Sequence, residues 1–227
     1  MKKKLPLLII FAILTARAQA EGAWLAGIGL HNGVWLHSQN TTSQWTLEDK
    51  NGYLLTLNQQ EGKSEQSPVL YLRNTIFSGD AQIDGIARFS INKNSFALSG
   101  LYLGFGPRVV KEWGSFYLNL GGVLASGTFN ATVDQAQDGE PAEGNPKLGD
   151  TVAISFLDLT PAMEAGIDFE FGKVGLNLAY SFIGQKKIDA YNYTYQKKPI
   201  NLVKLDGHLA PVIIGGTYLT CSVLYKF

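Results

Sequence analysis

The feature that most limits what this chain can become is a two-residue alternation of apolar with small or polar residues, repeated along most of its length. From Val174, one face reads Val174, Leu176, Leu178, Tyr180 and Phe182, and the other Gly175, Asn177, Ala179 and Ser181. From Ser115, residues Phe116, Leu118, Leu120 and Leu124 alternate with Tyr117, Asn119, Gly121 and Ala125. Between Ser95 and Val109, residues Leu101, Leu103, Phe105 and Val109 oppose Gly100, Tyr102, Gly104, Gly106 and Arg108. Side chains of a strand point alternately to the two sides of its sheet, so these segments read as long strands with one apolar face. The 45% hydrophobic content is spread over alternate positions. No segment reaches the roughly 18 consecutive apolar residues of a transmembrane helix.

The N-terminus follows a different rule. Lys2, Lys3 and Lys4 precede the apolar stretch Leu5 to Leu14, and Ala18-Gln19-Ala20 supplies a small-x-small site. That order is a secretory signal, expected over residues 1–20 and cleaved, with the folded domain over 21–227. The full chain is balanced at 19 basic and 19 acidic residues, so loss of Lys2, Lys3, Lys4 and Arg17 leaves a net charge of −4. A mildly acidic chain has no basic face for nucleic acid, and none is expected as a partner. One cysteine excludes a disulfide framework and a multi-cysteine metal site. No cofactor and no metal are expected.

Connections between the strands are unequal. Lys111-Glu112-Trp113-Gly114 and Gly172-Lys173 are tight turns, whereas Gln135–Asp150 and Gly184–Lys204 are long and polar. An antiparallel up-and-down barrel with short turns at one end and long loops at the other fits that order. A soluble secreted barrel of the lipocalin type shares the period, with its apolar face turned inward. Aromatic residues near strand ends favour the membrane form. Trp24, Trp35, Trp113, Phe116 and Phe171 fall where interfacial girdles lie.

The final segment alternates Leu219, Cys221, Val223, Tyr225 and Phe227. Here the chain resembles the small bacterial outer-membrane β-barrel superfamily, of the OmpW, OmpX and MipA kind. The resemblance implies an all-β transmembrane barrel in the bacterial outer membrane, in contact with outer-membrane lipids and lipopolysaccharide. It also implies that Val223, Tyr225 and Phe227 are read by the barrel-assembly machinery. Working back from Phe227, strands fall near 208–227, 174–187, 151–171, 115–134, 95–110, 81–91, 67–77 and 22–36. Residues 42–60 carry a further hairpin about Asn51-Gly52. Counting its arms gives ten strands, slightly favoured because both arms are apolar; treating it as an external loop gives eight.

Candidate chemistry lies on the polar faces. Asp158, Glu164, Asp168 and Glu170 share one face of a strand, and alternation turns Asp84, Arg88, Arg108 and Lys226 to the same side of the sheet. In a lumen this narrow, such residues form an ion-pair network that fills the barrel, or a carboxylate-lined path for small cations. A structural or surface-interaction protein, or a narrow channel for small solutes, is the expected function. An outer-membrane hydrolase of lipid A or phospholipid would need a nucleophile beside His31, His37 or His208. The sequence pairs none, so no catalytic residue is assigned. The stretch Lys186 to Lys198, with Tyr191, Tyr193 and Tyr195, reads as an external loop able to meet lipopolysaccharide phosphates or a surface ligand.

Overall fold

The computed structural model describes residues 24–33, 36–38, 43–59, 65–78, 82–92, 97–188, 190–209 and 212–227. Residues 1–20 and Trp35 lie outside the described residues. Every regular element among those described is a strand: β1 (Trp24–Gly33), β2 (Leu36–Ser38), β3 (Ser43–Glu48), β4 (Leu54–Gln59), β5 (Glu65–Phe77), β6 (Gln82–Asn92) and β7 (Ala97–Lys111). They continue as β8 (Gly114–Ala136), β9 (Thr151–Phe171), β10 (Val174–Lys187), β11 (Asn192–Tyr195), β12 (Lys198–Ile200), β13 (Val203–Leu209) and β14 (Val212–Lys226).

Eight of these strands close a ring. Antiparallel pairing runs β1–β5–β6–β7–β8–β9–β10–β14 and returns to β1, where Leu25 faces Lys226 and Asn32 faces Leu219. The short β5–β6, β7–β8 and β9–β10 connections gather at one end, together with Trp24 at the start of β1 and the C-terminus: the Phe227 amide donates to the Trp24 carbonyl at 3.1 Å. We call this the lower end. At its β7–β8 turn Gly114 has φ 155°, and a Cβ there would collide with the Asp168 carbonyl, so the strands meet this closely only with glycine.

The apolar faces point outward. Leu120 is 57%, Leu159 61% and Phe105 64% exposed, while Arg73, Asp84, Asn119, Glu164 and Asp168 are buried inside the ring. This inverts the arrangement of a soluble barrel and sets aside the lipocalin alternative: so broad an apolar belt demands a hydrocarbon solvent.

The longest strands change character partway up. On β8 the outward positions are Phe116, Leu118, Leu120 and Leu124, then Ser126, Thr128, Asn130 and Thr132. Its inward positions are Ser115, Tyr117 and Asn119, then Val123, Ala125, Phe129, Ala131 and Val133. The partner β9 does the same, outward Leu157 and Leu159 giving way above to Ser155, Ala153 and Thr151, and inward Glu164 to Phe156, Ile154 and Val152. The apolar outward stretch from Phe116 to Leu124 matches the roughly 9–11 residues a tilted strand needs to cross a bilayer. Above that level both strands stand in water.

Their upper ends carry a second, smaller sheet. β4 follows β7 along one edge of β8, and β11 follows β10 along the far edge of β9. β3 pairs with β4 and β13 with β3, while β12 pairs with β11. β12 and β13 are successive parts of one segment, so residues 198–209 pair first with β11 and then with β3. The result is a rolled cap whose interior is apolar: Leu47, Leu55 and Leu57 pack with Phe129, Val133, Ile154, Phe156 and Tyr193. The hairpin at 43–59 therefore belongs to the cap, and the membrane ring has eight strands. β1 pairs directly with β5 and leaves no room for two more.

A cation at Leu120 should cost about 2–4 kcal/mol of folding stability, the usual penalty at mid-bilayer depth. Thr128→Lys, on the same face of β8 but above the inversion, should stay within about 0.5 kcal/mol of wild type. Urea titrations of the protein folded into vesicles measure both.

Candidate functional site

The ring interior is occupied by a connected polar network. Arg73 on β5 pairs with Asp168 on β9, and its Nε lies 3.5 Å from Asp84 of β6. Asp168 also accepts from Ser115 (2.9 Å) and from the Asn177 amide (2.8 Å). Asn177 bridges to the second centre, where its Oδ1 accepts from Arg88 at 2.9 Å. Arg88 lies 3.0 Å from Glu164 and donates to Tyr117 (2.9 Å), while Tyr117 donates to Glu164 at 3.1 Å and Ser181 donates to it at 2.9 Å. The Arg88 guanidinium sits 4.7 Å from the centre of the Tyr71 ring. Toward the lower end Arg108 donates to Ser115 (2.8 Å) and Glu170 (2.6 Å) and lies 3.6 Å from Asp84; Lys226 approaches Glu170 at 3.8 Å.

Charge balance explains why this arrangement folds. Arg73, Arg88 and Arg108 are matched by Asp84, Glu164 and Asp168, and all six are buried. A buried ion left alone costs several kcal/mol, so each arginine needs its carboxylate. Above the network lies a cavity of about 20 Å³ bounded by His31, Arg88, Tyr102 and Glu164, room for about one water. Above that begins the apolar interior of the cap.

The structure brings Asp84, Arg88, Arg108, Glu164, Asp168 and Glu170 together as one network. Asp158 stands apart: alternation aims it inward, but it lies where the inward face turns apolar, and it pairs with Lys186 at 2.5 Å. Arg73, the residue that joins Asp84 to Asp168, was not singled out from the sequence. Neither were Tyr117 and Asn177, the neutral links. His31 is walled in, its Nδ1 3.1 Å from Thr220 Oγ1 and its ring stacked on Tyr218 at 4.5 Å. The side chains of His37 and His208 lie outside the described residues. Cys221 is exposed on the lipid face.

Aromatic side chains gather at the lower rim. Trp113 contacts Phe116 and Phe169 with ring centres 5.1 and 5.7 Å apart, Tyr225 contacts Phe227 at 5.1 Å, and Phe171 is 70% exposed. Trp24 is half-buried at the same end. Val223 and Tyr225 face outward and pair in register with Leu176 and Val174.

In the long 184–204 connection Lys186, Lys187, Lys197 and Lys198 are exposed, whereas two of the tyrosines between them turn inward. Tyr193 is buried in the cap and Tyr191 packs edge-on against Phe156. The hairpin between β11 and β12 turns on Gln196 (φ 49°) and Lys197 (φ 63°), the paired positive angles of a tight two-residue turn. Two aspartates pin the loops to one another. Asp49, buried in the β3–β4 turn, accepts from the amides of Asn51 (2.8 Å), Tyr53 (3.0 Å) and Ala142 (2.8 Å) and from the Asn145 side chain (3.1 Å). Burial pushes its carboxyl up, but the amides of Ala142, Tyr53 and Asn51 and the side chain of Asn145 together hold it below the ordinary aspartate value. Asp150 accepts from Tyr195 (2.6 Å) and the Lys147 amide (2.8 Å), and these bonds, the tyrosine first, lower its pKa too. Among the described residues, no three His, Cys, Asp or Glu side chains are grouped to hold a metal.

No protein-family model matches the chain, and no curated protein matches it. Solved structures do resemble it in outline. Ail, the attachment invasion locus protein of Yersinia pestis, aligns over 91% of this chain and 99% of its own at 14% identity and a TM-score of 0.45. Neisserial surface protein A aligns over 91% and 99% at 10% identity and 0.41. The outer membrane protease OmpT from Escherichia coli aligns over 90% and 97% at 10% identity and 0.38. The fold assignment rests on the closed ring of strand pairs and the apolar exterior described above. Together these define a transmembrane β-barrel.

Replacing Arg73 by methionine leaves Asp168 buried without its arginine and Asp84 with Arg108 alone, and should destabilise the barrel by about 3–5 kcal/mol, with Asp168→Asn in the same chain restoring part of it. Denaturant titration in vesicles reads both. Asp49→Ala should cost about 1.5–3 kcal/mol of cap stability. Because its folded pKa is depressed, Asp49 stabilises the cap fully above the unfolded value of about 3.9. That contribution disappears as pH falls below this value and through the depressed one. Limited proteolysis of the cap should thus accelerate in strong acid in the wild type, and already at neutral pH in Asp49→Ala.

Proposed function

We propose that this chain is a non-enzymatic outer-membrane barrel that presents a rigid folded cap at the cell surface and conducts no solute. The observation that carries the reading is the filled lumen. Arginine–carboxylate pairs span its lower half, a cavity of about 20 Å³ lies above them, and the apolar cap closes the top. A solute path would require ordered ion pairs to open against the cost of leaving each partner buried alone. The cap is suited to meeting a partner because its loops are prearranged, which lowers the ordering cost of binding. Val223, Tyr225 and Phe227 are proposed as the segment read by the assembly machinery. Lys186 and Lys187, just above the apolar belt, are proposed to meet lipopolysaccharide.

The absence of enzymatic activity is equally part of the proposal. His31 supports it, being buried against Thr220 and Tyr218 with no route to a lipid ester.

Planar-bilayer recordings of refolded protein should show no discrete conductance; reproducible steps from the wild type would overturn the sealed-lumen reading. Purified protein in detergent should hydrolyse neither phospholipid nor lipid A. Turnover that is abolished by His37→Ala would overturn the non-enzymatic reading.

A further inference from the structure

The wall of the barrel is not paired along its whole height. On one edge β9 meets β8 at every residue from Phe169 to Thr151. On its other edge, pairing with β10 stops at Ala162–Ile183, and pairing with β11 begins only at Ser155. Among the described residues, 156–161 have no paired rung on that edge. At about 3.3 Å per residue the interruption is roughly 20 Å long. It spans the top of the apolar belt, where Leu159 pairs with the lipid-facing Leu124.

Two sequence features make the break. The Leu159 carbonyl faces β10, where Lys186 reaches it; by alternation the Pro161 nitrogen faces β10 too, and it has no hydrogen to donate. Opposite it, β10 bulges against β14 between Ile183 and Lys186. Gly215 (φ 110°) allows that bulge, because a Cβ there would collide with the Gly184 carbonyl. The upper end of β10 is thereby paired with β14 and not with β9.

Side chains bridge what the backbone leaves open. The buried Thr160 hydroxyl donates to the Gly184 carbonyl at 2.6 Å. Lys186 donates to Asp158 at 2.5 Å and to the Leu159 carbonyl at 3.3 Å. Higher up, Tyr191 lies edge-on to Phe156 of β9. Ile183, on the last rung below the break, is buried and lines the cavity above the polar network.

We propose that this break is a lateral gate, latched by Thr160 and Lys186. Releasing both bonds lets residues 184–187 move with β14 away from β9. The wall then opens at the surface of the outer leaflet and exposes Ile183 and the cavity to lipid. The axis of the barrel stays closed, because the ion pairs below and the cap above are untouched. This inference rests on the reading of the chain as a membrane barrel. One neutral hydrogen bond and one exposed ion pair hold the latch, so losing both should raise the open population about tenfold.

Two reporters on the full-length protein, folded in phosphatidylcholine vesicles, test the gate. Cys221→Ser removes the exposed native thiol. Ile183→Cys then reports at the gate, and Ala179→Cys, buried on a paired rung of the same strand, reports below it. Adding Thr160→Val and Lys186→Met should make a lipid-soluble maleimide label Ile183→Cys about ten times faster, with Ala179→Cys unchanged. Equal rates at Ile183→Cys with and without the latch would overturn the proposal. So would equal acceleration at both reporters, which is general loosening. Hydrogen exchange needs no reporter: the two latch substitutions should speed it over residues 184–187 and leave 174–182 as in wild type. Unchanged exchange over 184–187 also sinks the gate. Heat-modifiable migration of the wild type on gels shows the barrel reading standing whatever the labelling result; its loss would remove that reading itself.

Discussion

Inside hydrocarbon a backbone amide has no water to turn to, and that constraint shapes every other part of this molecule. A sheet crossing the bilayer must have no edge, so β14 has to return to β1, and the pairing from Leu25–Lys226 to Asn32–Leu219 makes the closure. Closing with eight strands leaves an interior only wide enough for side chains. The outward half of each strand must be apolar to meet lipid, so the inward half takes the polar residues. In a narrow lumen sheltered from bulk water, those residues must satisfy one another. The arginine–carboxylate network is thus a consequence of closure: polar side chains forced inward, with charges matched because unmatched ones would be ruinous.

The same logic explains the inversion on β8 and β9. Where the strands leave the hydrocarbon, the solvent outside becomes water, and the preferred sides of apolar and polar residues exchange. Leu120 faces lipid and Asn119 the lumen; higher up, Phe129 is inward and Asn130 outward. Two strands thereby serve two cores of opposite polarity. They are stacked end to end and share a backbone, so β8 and β9 hold the cap in fixed relation to the membrane. Asp49 and Asp150 then join the remaining loops to that frame.

Much of this was legible in the sequence, and the parts that were not have physical reasons. The positions of the eight ring strands followed from alternation and from the unequal turns, to within a few residues. The acids of β9 were readable because Glu164, Asp168 and Glu170 share one parity on an otherwise apolar strand. Arg73 was not, because its face also carries Val69 and Tyr71, and the opposite face mixes Leu70 and Leu72 with Pro68 and Asn74. Neither face of β5 looked polar. The cap was not legible because both long strands, near 115–134 and 151–171, read as membrane strands over their whole length. The shift of the apolar residues to the other parity between Leu124 and Phe129, which marks where the strands leave the hydrocarbon, is a single step in an otherwise continuous alternation. Asp158 sits at that crossover, which is why parity alone assigned it to a network it does not join.

The hairpin at 43–59 shows how closure and lumen chemistry settle the strand count together. Its arms are apolar on one face, which suits a membrane strand and a cap core equally well. Each arm is six residues long, short of the roughly 9–11 needed to cross. Inserting both between β1 and β5 would also widen the ring. Arg73 on β5 reaches across the lumen to Asp168 on β9, and Arg88 on β6 reaches Glu164. Barrel diameter grows with strand number, so a ten-stranded ring would pull these partners apart and leave charges to be hydrated by an open channel. With the hairpin in the cap, the ion pairs stay within reach and the lumen stays filled. The placement of one short hairpin thus decides between a pore and a plug.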